Sequence, residues 1–257
     1  MTGAAPRISI IVIAVGAPVD LVSQSVDSLR HQTAGDWDAC VVASPDEIAS
    51  LRAALDRAGL DGRLTLRATS DAVAPAAALA EALSSTSAEL VTWLDAGDRL
   101  DPVAVERVLA VADDDVDFVY TDEDELDDPL DRDGDGSPSG PRLKPDWSPE
   151  RLSAYPYTGR LAVFRRATLD EAGGIRPELA LALDHDVALR VGERARRVVH
   201  VAEVLYHRRR PYLGMKPARA TAAAMRAVAE HIDRTGMPAT VEHDSERPRL
   251  PRLRPAG

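Results

Sequence analysis

The stretch LVTWLDAGDRLDP, Leu90–Pro102, begins as an apolar run and breaks into acids. With Glu89 it reads as a strand over Glu89–Asp95. Asp95 and Asp98 then flank a small Ala-Gly turn. Asp101 suits a helix N-cap, with Pro102 at the first helical position. A strand that ends this way puts carboxylates at the carboxyl edge of a sheet, where α/β proteins bind their ligands.

Working outward, three more strands precede it: ISIIVIAV (Ile8–Val15), DACVVA (Asp38–Ala43) and RLTLRAT (Arg63–Thr69). The first is continuous and β-branched, as in a strand buried on both faces. Helical spacing fills the gaps at Val19–His31, Asp46–Ala58 and Ala72–Ser85. Alternating strands and helices predict an α/β fold, a Rossmann-like, mostly parallel sheet flanked by helices. Downstream come the helix PVAVERVLAVAD, the acid-ended strand DFVYTDEDELDD and a Gly/Asp/Ser/Pro loop over Pro129–Pro141. A strand and helix in GRLAVFRRATLDEAGG follow, then a helix from Asp184, a strand ending near His207 and a helix over Pro217–Thr235. We expect one domain over residues 1–236, in two halves, 1–100 and 101–236. The Pro/Arg-rich tail, 237–257, is expected to lack order.

Of the 257 residues 45% are hydrophobic but only 4% aromatic, so the core must rest on Val, Leu, Ile and Ala. A formal charge of −11 lacks the basic footprint of a nucleic-acid binder. Cys40, inside ACVV, reads as a buried strand residue and fits a reducing compartment. No segment reaches the ~18–20 apolar residues of a membrane span. The first apolar run reads as a strand rather than a signal peptide. A soluble, cytoplasmic protein is expected, with peripheral association at the inner face of a membrane left open.

Several residues carry candidate chemistry. Asp95 and Asp98 can hold a hard divalent cation against phosphate oxygens, or simply end a strand and shape a turn. DRDGDG (Asp131–Gly136) opens like a calcium loop, but the twelfth position is Arg142 instead of Glu, so a solvated acidic loop is the better reading. Asp184 and Asp186 bracket His185 at a helix start, where Asp184 is a general base or a cap. His207, closing a strand, is a metal ligand or a structural histidine. Trp147, between Pro145 and Pro149, is a sugar-stacking ring or a packing one.

The order of these pieces is more specific than any one of them. WLDAGDRLDP is followed by YTDEDELD, KPDWSPERL, DHDVALR and VLYHRR. In that order they resemble family 2 glycosyltransferases with the GT-A fold, most closely the bacterial branch that builds surface polysaccharides. The resemblance covers nearly the whole chain. It implies inverting transfer of a sugar from a nucleoside-diphosphate donor to a glycan or lipid-linked acceptor, assisted by Mg²⁺ or Mn²⁺. It places metal and diphosphate at Asp98, with His207 close by and Asp95 near the nucleotide. Asp184 becomes the base, and Asp122, Glu123, Asp124, Trp147 and Asp186 fall on the acceptor side. The donor half departs from the family pattern. Ala14 stands where the first strand ends in polar residues, Ala43 and Ser44 replace a pair of aspartates, and APAAALAEAL lacks an Arg-Asn. A non-catalytic module binding a glycan or partner enzyme is therefore a second reading. A nucleotidyltransferase ranks last, because VGAPVD has no basic residue for phosphate.

Overall fold

The computed structural model describes residues 6–57, 62–70, 73–126, 137–209, 217–243 and 251–255. Strand β1 (Ile8–Ile13) leads to α1 (Val19–Arg30), β2 (Trp37–Ala43), α2 (Ile48–Arg57), β3 (Leu64–Ala68), α3 (Pro75–Leu83) and β4 (Leu90–Asp95). The four strands lie parallel in the order β3-β2-β1-β4. β1 is buried throughout. Its Ile8, Ile10 and Val12 enter one core and Ile11 and Ile13 the other, because successive side chains leave opposite faces. Both faces are therefore dry, and an apolar run without alternation is what the strand requires.

The chain then forms β5 (Arg99–Leu100), α4 (Ala104–Val111), β6 (Phe118–Leu126), β7 (Pro138–Arg142), α5 (Pro149–Ala154), β8 (Ala162–Arg165) and α6 (Arg166–Glu171). A 3₁₀ stretch (Pro177–Ala182), α7 (Leu183–Gly192), β9 (Val198–Arg209) and α8 (Pro217–Thr235) follow. β10 (Ala239–His243) and β11 (Pro251–Pro255) make a separate antiparallel pair. β8 enters antiparallel between β4 and β6, and β6 runs parallel to β9, so one α/β sheet carries both halves. Long parallel ladders supply most of its pairing. Asp124 of β6 and Arg99 of β5 both stand opposite His207 of β9. Cys40 is buried in β2 as expected. Among the described residues, no helix is long and apolar enough to cross a membrane.

Three local expectations change. Helix α4 starts at Ala104, and Asp101 is not its N-cap. The Asp101 backbone N–H still bonds Leu205 O of β9 at 3.1 Å, which ties it to the sheet. Its Oδ1 instead accepts the Val103 N–H at 3.0 Å and shapes a turn. The stretch expected as a loop to Pro141 contains β7, which pairs with β6. DRDGDG lies outside the described residues. The Pro/Arg-rich end is not wholly without order: Leu253 faces Val241 across the β10–β11 pair and both pack on the second core.

Candidate active site

A cavity of about 650 Å³ opens where β1 and β4 end, lined by Ile13, Asp95, Glu123, Arg160, Asp184 and Arg208 among others. This is ordinary ligand-pocket size. Asp95 is the last residue of β4 and stands beside Ile13 of β1. Asp184 comes from the first turn of α7, whose N-cap is Ala182. Asp184 is thus inside the helix, and its carboxylate caps nothing. It accepts from Trp93 Nε1 at 3.3 Å and pairs with Arg160 Nε at 3.3 Å. Arg160 Nη2 holds Asp95 Oδ2 at 2.7 Å. One guanidinium thus joins two carboxylates that are distant in sequence. Burial pushes the Asp184 pKa above its usual range, opposed first by the Arg160 charge.

Asp98 is placed differently. It is buried, and Oδ1 accepts the Arg209 N–H at 2.8 Å while Oδ2 accepts the Tyr206 hydroxyl. Burial, and then the Asp95 charge, raise its pKa to about 7. The turn before it is pinned by α1. Ser25 Oγ accepts the Gly97 N–H at 2.8 Å and donates to Asp98 O at 2.8 Å. Gly97 has φ +95°, and a Cβ there would lie 2.8 Å from Arg209 Cδ. Gly97→Ala is expected to lower stability by about 1–3 kcal/mol, since it adds backbone strain to a close contact. Urea melting checks this, and an unchanged midpoint would show that the turn relaxes freely.

The acidic end of β6 divides by partner. Asp122 Oδ1 accepts the Lys144 N–H at 2.7 Å and faces His200 Nε2 at 2.9 Å. Asp124 Oδ1 lies 2.8 Å from His207 Nδ1. Glu123, the one of the three that lines the cavity, accepts from Lys144 Nζ at 3.1 Å and from the Arg160 N–H at 2.7 Å. Asp186, expected on the acceptor side, does not line the cavity. It is 1% exposed and ion-paired to Arg176 and Arg190, because its position on α7 faces the core. Trp147 is also a packing residue. Its ring meets Phe118 edge-on at 5.7 Å and fills the space where a Gly192 side chain would stand.

At the carboxyl ends of β1 and β2, Ala14 is buried and its N–H bonds Val42 O at 2.9 Å. Ser44 is nearly buried and its N–H donates to Glu47 Oε2 at 2.8 Å. Glu47 Oε1 takes the Gly16 N–H at 2.8 Å, so one carboxylate bridges the ends of β1 and β2. Neither Glu47 nor Arg160 nor Lys144 stands out in the sequence. The available signal was a Glu just after the β2 break and a Gly-Arg just before a strand. His185, beside Asp184, also lines the cavity. Burial lowers its pKa to about 4, Nε2 lies 2.7 Å from Leu152 O, and Nδ1 has no hydrogen-bond partner among the described residues.

The residues do not fit a divalent ion as they stand. Asp98 has both oxygens engaged by protein donors, and His207 Nδ1 is given to Asp124. Asp95 is paired with Arg160. Among the described residues, no three or more His, Cys, Asp or Glu gather as metal ligands.

Over residues 9–173 the sequence matches the glycosyl transferase family 2. The chain belongs to that family. A curated relative of this family 2 glycosyltransferase is the O-antigen biosynthesis protein RfbC of Myxococcus xanthus, 32% identical over 92% of this chain and 19% of the relative. Uncharacterized protein y4gI of Sinorhizobium fredii is 28% identical over 90% of this chain and 26% of its own length. The chain therefore spans about a fifth to a quarter of the curated relatives it matches. Among solved structures, S. aureus TarS 1-349 in complex with UDP-GlcNAc superposes with TM-score 0.68 at 17% identity, covering 88% of this chain and 66% of that one. Mannosyltransferase PcManGT from Pyrobaculum calidifontis, in complex with GDP-Man and Mn²⁺, gives 0.64 at 21% identity, covering 90% and 64%. These likenesses confirm the α/β GT-A architecture.

Proposed function

We propose that this family 2 glycosyltransferase moves a sugar, with inversion, from a nucleoside-diphosphate donor to a hydroxyl of a glycan or lipid-linked acceptor, on the cytoplasmic side of the cell envelope. One observation carries the reading: Asp184, whose pKa burial raises, lines a ligand-sized cavity together with Asp95 at the carboxyl end of the parallel strands. Asp184 takes the acceptor proton as its oxygen attacks the anomeric carbon. The sugar passes through an oxocarbenium-like state and the nucleoside diphosphate leaves. Residues 1–100 hold the nucleotide, with Glu47 at the edge where Ala14 and Ser44 offer only backbone. The ion that family likeness implies would need Asp98 freed from Tyr206 and Arg209.

A thermal-shift screen of UDP, GDP, dTDP and CDP, with and without Mn²⁺, tests the donor. Binding at a hundredfold excess over Kd adds about 2.7 kcal/mol, so one nucleotide should raise Tm by roughly 5–10 °C in a chain of this size. No shift with any nucleotide, and no sugar nucleotide hydrolysed or transferred, would leave the non-catalytic module as the better reading. The small polar complement at Ala14 and Ser44 is what favours that module.

A further inference from the structure

Arg160 sits in the most constrained backbone of the cavity wall. Gly159 has φ +54°, and a Cβ there would lie 2.4 Å from Glu123 Oε2 and 2.8 Å from Lys144 Nζ. Leu161 has φ +47° and, uniquely among described non-glycine residues, a positive value, although it is buried. Left-handed backbone at a branched, buried residue stores strain, and such strain concentrates where a side chain must be aimed. The Arg160 N–H is fixed on Glu123 Oε2 at 2.7 Å. Two left-handed residues and that bond hold the guanidinium at the cavity wall, against Asp95 and Asp184.

An ion pair of this kind does two things at once. It occupies the carboxylate that must act as base, and it stores a planar cation whose parallel N–H groups match phosphate oxygens. Arg208 and Lys144 line the same cavity, so the basic groups are not confined to one side chain. The acids expected to bind a metal are meanwhile engaged by protein donors.

We propose that Arg160 binds the diphosphate of the donor without a divalent ion, exchanging Asp184 for phosphate oxygens and so releasing that carboxylate to the acceptor hydroxyl. This rests on the glycosyltransferase reading above and names the group that receives the leaving diphosphate. The guanidinium leaves Asp184 Oδ2 and takes up two non-bridging phosphate oxygens. No covalent bond changes, and no proton is transferred until the acceptor arrives.

The test is titration calorimetry of the whole chain with inorganic pyrophosphate and with the nucleoside diphosphates, in EDTA and then in Mn²⁺. The wild type is expected to bind pyrophosphate in EDTA. Arg160→Gln should weaken that binding about ten- to a hundredfold, the range for losing charge-assisted hydrogen bonds. Arg160→Lys, which keeps the charge but not the fork, should recover part of it. Asp184→Asn, which removes a competitor for the guanidinium, should tighten binding several-fold, and it serves as the test should Arg160→Gln fail to fold. Equal affinity of wild type and a folded Arg160→Gln overturns the proposal. So does unchanged affinity in Asp184→Asn, or wild-type binding that vanishes in EDTA and returns with Mn²⁺. If the wild type transfers sugar while any of these holds, the Arg160 proposal alone fails. If it binds no nucleoside diphosphate and turns over no sugar nucleotide, the glycosyltransferase reading fails.

Discussion

Asp184→Asn is expected to lower kcat for sugar transfer by about 10²- to 10⁴-fold, the usual worth of a positioned general base. The amide keeps the shape and can still meet Trp93 Nε1, which lies 3.3 Å from the carboxylate. It cannot accept the acceptor's proton. Melting should hold near wild type, because the amide keeps the carboxylate's shape and Arg160 keeps its ion pair with Asp95. The pH profile gives an independent check. The base works only when ionised, so kcat/KM must rise with pH as Asp184 loses its proton. Burial raises that pKa, so the rise should come at higher pH than for an ordinary carboxylate. Asp95, Arg160, Trp93 and Arg208 face the same group and set where the rise falls. Near-wild-type kcat in Asp184→Asn, with the acidic limb intact, would remove Asp184 from the chemistry.

Asp186→Ala, two residues away, should behave in the opposite manner. Asp186 accepts from Arg190 Nε at 3.0 Å and Nη2 at 2.6 Å, and it also pairs with Arg176. The Arg190 side chain is only 5% exposed, and it also donates to Ala172 O and Gly174 O after α6. Deleting the carboxylate strands a buried cation, which typically costs about 3–5 kcal/mol. Chemical denaturation should show that loss, with Tm falling by roughly 10 °C for a domain of this size. Turnover per folded molecule should be unchanged. A variant of native stability with weakened acceptor affinity would instead restore Asp186 to the acceptor side.

These two acids show how far the sequence could be read. DHDVALR marked a helix carrying two acids, and the structure contains that helix. Periodicity does not reveal which acid meets solvent, because that depends on which elements pack against α7. Arg176 and Arg190 take Asp186, while Trp93 and Arg160, from β4 and the turn before β8, take Asp184. WLDAGD divided in the same way. Its position at the edge of the sheet was legible. That Asp95 would line the cavity while Asp98 bonded Tyr206 and Arg209 was not, since both partners arrive on β9. Trp147 between two prolines suited stacking or packing equally, and only the tertiary structure shows its ring against Phe118 and Gly192.

The sequence by itself determined the βα alternation, the parallel block and the family. Those follow from local patterns: apolar runs buried on both faces, helical spacing between them, and motifs in a fixed order. Only the tertiary structure decided which carboxylates are available and which cation sits between them. Ion pairing depends on distances of a few ångströms between residues far apart in the chain. The Arg160 guanidinium reaches Asp95 and Asp184 because Gly159 and Leu161 adopt left-handed backbone beside Glu123, a conformation no local pattern announced.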